Sequence, residues 1–83
     1  MKLELYYYNQ CPFCHRVLQV IDSLGLKESI IFKNTNVDNQ ARIYHLETTG
    51  RTTVPCLYID DKPMFESSDI STWLENNQKI IKG

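Results

Sequence analysis

Cys11 and Cys14 stand three residues apart, with Pro12 and Phe13 between them. At the start of a helix this spacing leaves the two Cβ atoms about 5–6 Å apart. Small adjustments then allow a disulfide, so the pair can close and open reversibly. Pro12 fits the first helical position, where its missing N–H costs nothing, and the free N–H groups of the first turn then point at the Cys11 sulfur. Those donors and the positive helix end favour the thiolate. Cys11 is therefore the expected nucleophile. Cys14 instead falls on an apolar stripe continued by Val17/Leu18, Ile21 and Leu24, and is expected to be less exposed. Attack by Cys11 on a disulfide would give a mixed disulfide that Cys14 resolves from inside. The same spacing is also half of a zinc site, which Cys56, His15 and His45 could in principle complete. No second C-x-x-C accompanies it. Redox chemistry is the stronger reading, because the motif sits between a strand and a helix. His15 and Arg16 read as solvated helix residues, and His45 as a surface residue.

The elements that must position these thiols follow from periodicity. Lys2 to Tyr8 is a strand rich in tyrosine and leucine, ending at Asn9-Gln10. From Pro12 the period lengthens to three and four residues, predicting a helix up to the stop at Gly25. Ser29 to Val37 reads as a second strand. Asp38 or Asn39 caps a second helix running through Ala41, Ile43 and Leu46 to Gly50. Thr52 to Asp60 and Pro63 to Phe65 flank the turn-like Asp60-Asp61-Lys62 and predict a hairpin. A final helix opens at Ser67-Ser68-Asp69 and carries Ile70, Trp73/Leu74, Asn77 and Ile80/Ile81 on one side. The order β-α-β-α-β-β-α implies an α/β fold with a four-stranded mixed sheet and helices on its faces.

Eighty-three residues make a single domain, 1–83, with one thin core. Three cysteines are well under the roughly 8–10% of a disulfide-stapled chain, and an odd number cannot all pair. The net charge of −1 removes the electrostatic footprint of a nucleic-acid or anionic-membrane binder. No signal segment or long apolar run occurs. A cytoplasmic protein in a reducing compartment is expected.

Two further segments bear on a thiol site. Val54 precedes Pro55 and must be extended, so beside the nucleophile it could pair its N–H and C=O with a peptide-like thiol substrate. At Ser67-Ser68-Asp69, free helix N–H groups would bind a carboxylate and Asp69 an ammonium, which together match an α-amino acid head group. Cys56 reads as a buried strand cysteine.

Cys11-Pro12-Phe13-Cys14-His15-Arg16, Gly50-Arg51-Thr52-Thr53-Val54-Pro55 and Ser68-Asp69 together resemble the glutaredoxins, whose usual motif is C-P-Y-C with T-V-P downstream. The resemblance spans essentially the whole chain. It implies the thioredoxin-like fold, a cis Val54-Pro55 bond facing Cys11, and glutathione as reducing co-substrate with no metal. It also implies that Ser68 and Asp69 hold the γ-glutamyl end of glutathione. By the same resemblance Thr53 and Val54 hold the cysteinyl backbone, Arg42 the glycine carboxylate, and Phe13 and Pro55 complete the site. Two positions depart from the family pattern. Tyr8 stands where many glutaredoxins have a lysine, and Phe65-Glu66-Ser67 replaces the usual Gly-Gly. Glu66-Ser67-x-Asp69-Ile70 looks more like the glutathione-contacting segment of glutathione-transferase N-terminal domains, which brings Glu66 or Ser67 into the site.

The resemblance implies a monomeric dithiol oxidoreductase that reduces protein disulfides and glutathione mixed disulfides, with a role in electron transport and redox homeostasis. The competing readings are a [2Fe–2S] carrier, in which Cys11 and bound glutathione of two chains supply four thiolates, and a redoxin recharged by thioredoxin reductase.

Overall fold

The computed structural model describes residues 1–83. Strand β1 (Leu3–Tyr7) leads through a short loop into α1 (Pro12–Ser23), and a single 3₁₀ turn at Lys27–Ser29 precedes β2 (Ile31–Asn34). Helix α2 (Asn39–Thr49) follows, then β3 (Cys56–Ile59), β4 (Lys62–Met64), α3 (Ser67–Asn76) and α4 (Gln78–Lys82). The sheet order is β2-β1-β3-β4. β1 pairs parallel with β2 and antiparallel with β3, and β3 with β4 is antiparallel, so the sheet is mixed as expected.

Side-chain alternation along the strands sorts the protein into three layers. Leu3 and Leu5 of β1 and Leu57 of β3 point to one face, where Val17 and Ile21 of α1 and Ile70 and Leu74 of α3 cover them. The register supports this, since Leu5 lies opposite Leu57. Tyr6, Cys56 and Tyr58 point the other way and form a second cluster with Ala41 of α2. Burying α1 and α3 on the same face brings their two N-termini into one neighbourhood.

Local signals fix the ends of the elements. Asp38 caps α2 by accepting the Ala41 N–H at 3.0 Å, and Gly50 ends it at φ 78°. In the β3–β4 turn Asp60 and Asp61 both have positive φ, 47° and 71°, the twist that tight hairpins favour. The turn is tied to the start of β1: the Lys2 N–H donates to Asp60 Oδ1, and Lys2 Nζ pairs with Asp61, each at 2.8 Å.

Three expectations are corrected. The strands are shorter than expected: β2 covers Ile31–Asn34 rather than Ser29 to Val37, because Ser29 closes the 3₁₀ turn, and β3 begins only after Pro55. The final helix is two helices. Asn77 leaves helical geometry at φ −120°, and its Nδ2 donates to the Trp73 carbonyl at 2.7 Å, closing α3 before α4 begins. On α2 the buried positions are Ala41 and His45, one turn apart, whereas Ile43 and Leu46 are exposed. His45 is accordingly not a surface residue but fully buried, at 0% exposure.

Candidate active site

The N-terminus of α1 carries Cys11 and Cys14. Cys11 is its N-cap, in extended conformation, and Pro12 occupies the first turn. The Cys11 sulfur accepts the Cys14 N–H at 3.3 Å, so the thiol itself caps the helix. The same Sγ lies 3.8 Å from the Val54 carbonyl oxygen, to which the thiol form can donate. All three cysteines are free thiols. Cys11 is more exposed than Cys14, but only at 5% against 0%, so the expected asymmetry exists within a nearly closed site. Burial, and then the hydrogen bond with Cys11, raise the Cys14 thiol above its ordinary range, while a backbone hydrogen bond at Tyr8 opposes them. Cys56 is fully buried in β3, and burial pushes its thiol up to about 12.

The second wall of the site is the segment leading into β3. Its Val54-Pro55 peptide bond is cis. His45 fixes the residue just before it: Nε2 lies 2.7 Å from the Thr53 carbonyl and Nδ1 2.7 Å from the Tyr58 hydroxyl. One turn further along α2, the Thr49 hydroxyl contacts the carbonyls of His45 and Arg51, at 2.8 and 2.9 Å. The Arg51 guanidinium stacks 3.9 Å above the Phe65 ring.

The third wall is the start of α3. Glu66 precedes it at φ 71° and gives no side-chain cap, and the Ile70 N–H makes the first helical bond back to the Glu66 carbonyl at 3.0 Å. The first-turn N–H groups are therefore left without a side-chain partner. Glu66 stands where the usual pattern has glycine, and it adopts the positive φ that glycine takes most easily.

These walls enclose a cleft of about 360 Å³ lined by Phe13, Arg16, Thr53, Val54, Pro55, Glu66, Ser67 and Ser68. Six expected site residues, Phe13, Thr53, Val54, Pro55, Ser67 and Ser68, thus come together. Cys11 borders the cleft through Val54. Arg42, exposed on α2, and Asp69, exposed in the first turn of α3, are not among its lining residues. Arg16, read from the sequence as a solvated helix residue, lines the cleft, its guanidinium 5.9 Å from the Phe13 ring. The i, i+3 spacing of Phe13 and Arg16 was the available signal. His15 turns away to the Asn9 carbonyl. A second groove of about 350 Å³ between α2 and β1 carries charges of both signs, Lys2, Lys33, Asp38 and Asp61 among them, and no thiol.

Residues 3–64 match the sequence pattern of the glutaredoxin family. The chain belongs to the glutaredoxins. It is 35% identical to glutaredoxin 3 of Escherichia coli strain K12 over 60 residues, which cover 70% of this chain and 68% of that protein. Over 72 residues it is 31% identical to a probable glutaredoxin of Synechocystis, covering 83% and 77%. Among solved structures, wheat glutaredoxin matches with a TM-score of 0.67 at 22% identity, over 99% of this chain and 77% of that one. An epsilon-class glutathione S-transferase from the housefly Musca domestica matches with a TM-score of 0.72 at 24% identity. That likeness covers 92% of this glutaredoxin but 35% of the transferase, so the chain spans about a third of that protein. Both matches confirm the thioredoxin-like fold that the family resemblance implied. Family membership assigns the glutaredoxin thiol oxidoreductase chemistry in general.

Proposed function

We propose that residues 1–83 act as a monomeric, glutathione-dependent dithiol oxidoreductase of the cytoplasm. The observation that carries this reading is the Cys11 sulfur, 3.3 Å from the Cys14 N–H at a helix start and 3.8 Å from the carbonyl of cleft-lining Val54.

With a glutathione mixed disulfide, the Cys11 thiolate attacks the glutathione sulfur. A Cys11–glutathione disulfide forms, and the substrate thiolate leaves and takes a proton from water. A second glutathione, as thiolate, attacks that disulfide, releasing oxidised glutathione and regenerating the Cys11 thiolate. With a protein disulfide, Cys11 forms the mixed disulfide and Cys14, once deprotonated, displaces the substrate. Two glutathiones then reduce the Cys11–Cys14 bond. Burial first, and then the hydrogen bond with Cys11, hold the Cys14 thiol protonated at rest, which supports Cys11 as the attacking thiol and Cys14 as the resolving one.

The cleft supports glutathione as the ligand. An extended Val54 can pair with the cysteinyl backbone. The uncapped start of α3, with Ser67 and Ser68, suits the γ-glutamyl carboxylate. Asp69 is assigned the ammonium and Arg42 the glycine carboxylate. Arg16, in the cleft itself, is a nearer cation for that carboxylate. Glutathionylated and disulfide-containing proteins are the proposed partners.

The deciding experiment is reduction of hydroxyethyl disulfide with glutathione and, in parallel, with thioredoxin reductase. Turnover with glutathione is expected. Turnover with thioredoxin reductase alone overturns the proposal, and a brown, cluster-bearing dimer purified anaerobically would replace it with the carrier.

A further inference from the structure

The fully buried His45 takes no part in the thiol chemistry, yet it touches both walls of the cleft. Its bonding fixes the tautomer of the neutral ring. The Thr53 carbonyl can only accept, so the ring nitrogen 2.7 Å away, Nε2, must carry the hydrogen and donate. Nδ1 of the neutral ring is then an acceptor, and the Tyr58 hydroxyl, 2.7 Å away, donates to it. Burial raises the Tyr58 phenol further above its ordinary range and keeps that hydrogen in place. The chain of donors runs Tyr58 O–H to His45, then His45 N–H to the Thr53 carbonyl.

The ring is also held from its sides. Tyr6, Tyr58 and Phe65 surround it, with centroids at 5.2, 5.7 and 5.7 Å. Phe65 directly precedes Glu66 and Ser67, which line the α3 wall, and Thr53 directly precedes Val54 on the opposite wall. One side chain thus binds a carbonyl behind one wall and packs against the residue that launches the other. Ordinary core filling does not require this, because an apolar residue would pack against Tyr6 and Phe65 without holding Thr53.

We infer that His45 is a positioning residue for the thiol substrate, orienting the Thr53–Val54 backbone and setting its spacing from the start of α3. This rests on the glutathione reading above. The two are separable: a wild-type protein without glutathione-dependent turnover overturns both, and with an active wild type the His45 variants judge the inference alone.

Replacing His45 with Leu removes both hydrogen bonds. The KM for a glutathione mixed disulfide is expected to rise about tenfold, the size of one lost positioning bond, with kcat and the rate of Cys11 alkylation little changed. In His45→Gln the amide can donate to Thr53 and accept from Tyr58, and it should recover most of the loss. Long-range ¹H–¹⁵N spectra of the wild type should show the neutral Nε2–H tautomer. A folded His45→Leu protein with wild-type KM overturns the inference, as does a Gln variant no better than Leu. If the Leu variant fails to fold, an Nδ1–H tautomer in the wild type, or a tenfold KM increase in the Gln variant, overturns it.

Discussion

Two helix starts face the same cleft and are finished in opposite ways. The first turn of α1 is closed on itself, with Cys11 in extended conformation accepting the Cys14 N–H and Pro12 behind it. The first turn of α3 is open: no side chain caps it, and the preceding residue, Glu66, is held at φ 71°. A capped start aims its N–H groups at a covalently attached sulfur. An open start leaves the same groups for a diffusible anion. In the proposed function the same backbone physics serves as a reactive centre at one end and as a binding end at the other.

Replacing Cys11 by Ser tests the closed start most severely. Serine is a good N-cap, so the thermal midpoint should stay near wild type while turnover on every substrate falls by several orders of magnitude. Loss of folding together with activity would mean that the cap matters mainly for stability. Cys14→Ser comes next. It should lose nearly all protein-disulfide reduction and keep glutathione mixed-disulfide turnover at the wild-type order, measured on the two substrates side by side.

The open start is probed by Ser67→Ala, which should raise the KM for glutathione about tenfold, since a hydrogen bond to a charged group is worth about 1.5–3 kcal/mol. An unchanged KM would remove α3 from the binding site. Glu66→Gly sharpens the contrast further. Relief of a positive φ, worth about 1–3 kcal/mol, exceeds the about 0.4–1 kcal/mol lost to the greater freedom of glycine in the unfolded chain. The thermal midpoint should rise by a few degrees and glutathione binding should weaken.

The smallest effect is in pH. Cys56 and Cys14 have thiols raised by burial above the ordinary value of 9.0, Cys56 to about 12. Below about pH 9 both are protonated whether the chain is folded or not, so they add no pH dependence to stability. Above it the unfolded chain releases these protons first. Stability should therefore decline from pH 9 towards 12, and Cys56→Ala should flatten that decline in alkaline melts. Iodoacetamide at neutral pH should label Cys11 ahead of both.

Much of this was legible in sequence because it is local. The Cys11–Cys14 spacing, the cap at Asp38, the stop at Gly25 and the hairpin at Asp60-Asp61 each depend on a few adjacent residues, and each appears as expected. The errors cluster where distant residues compete for the same backbone. Ile43 and Leu46 of α2 are apolar yet exposed, because the small sheet face beneath the helix is already filled by Tyr6 and Tyr58 and only Ala41 and His45 fit there. A histidine alone carries no sign of burial, because its partners lie 8 and 13 residues away in sequence. Asn77 breaks the last helix through its own side chain, which apolar spacing cannot register.

By itself the sequence determined the reactive group, the order of elements and the family, all of which follow from residue type and short-range spacing. The family resemblance itself implies that the starts of α1 and α3 meet a cis Val54-Pro55 segment, whereas the tertiary structure alone decided that Arg16 lines the cleft and that His45 stands behind it. Those relations are distances between segments far apart in the chain. They are set by which faces of the sheet each helix buries, and no local pattern encodes them.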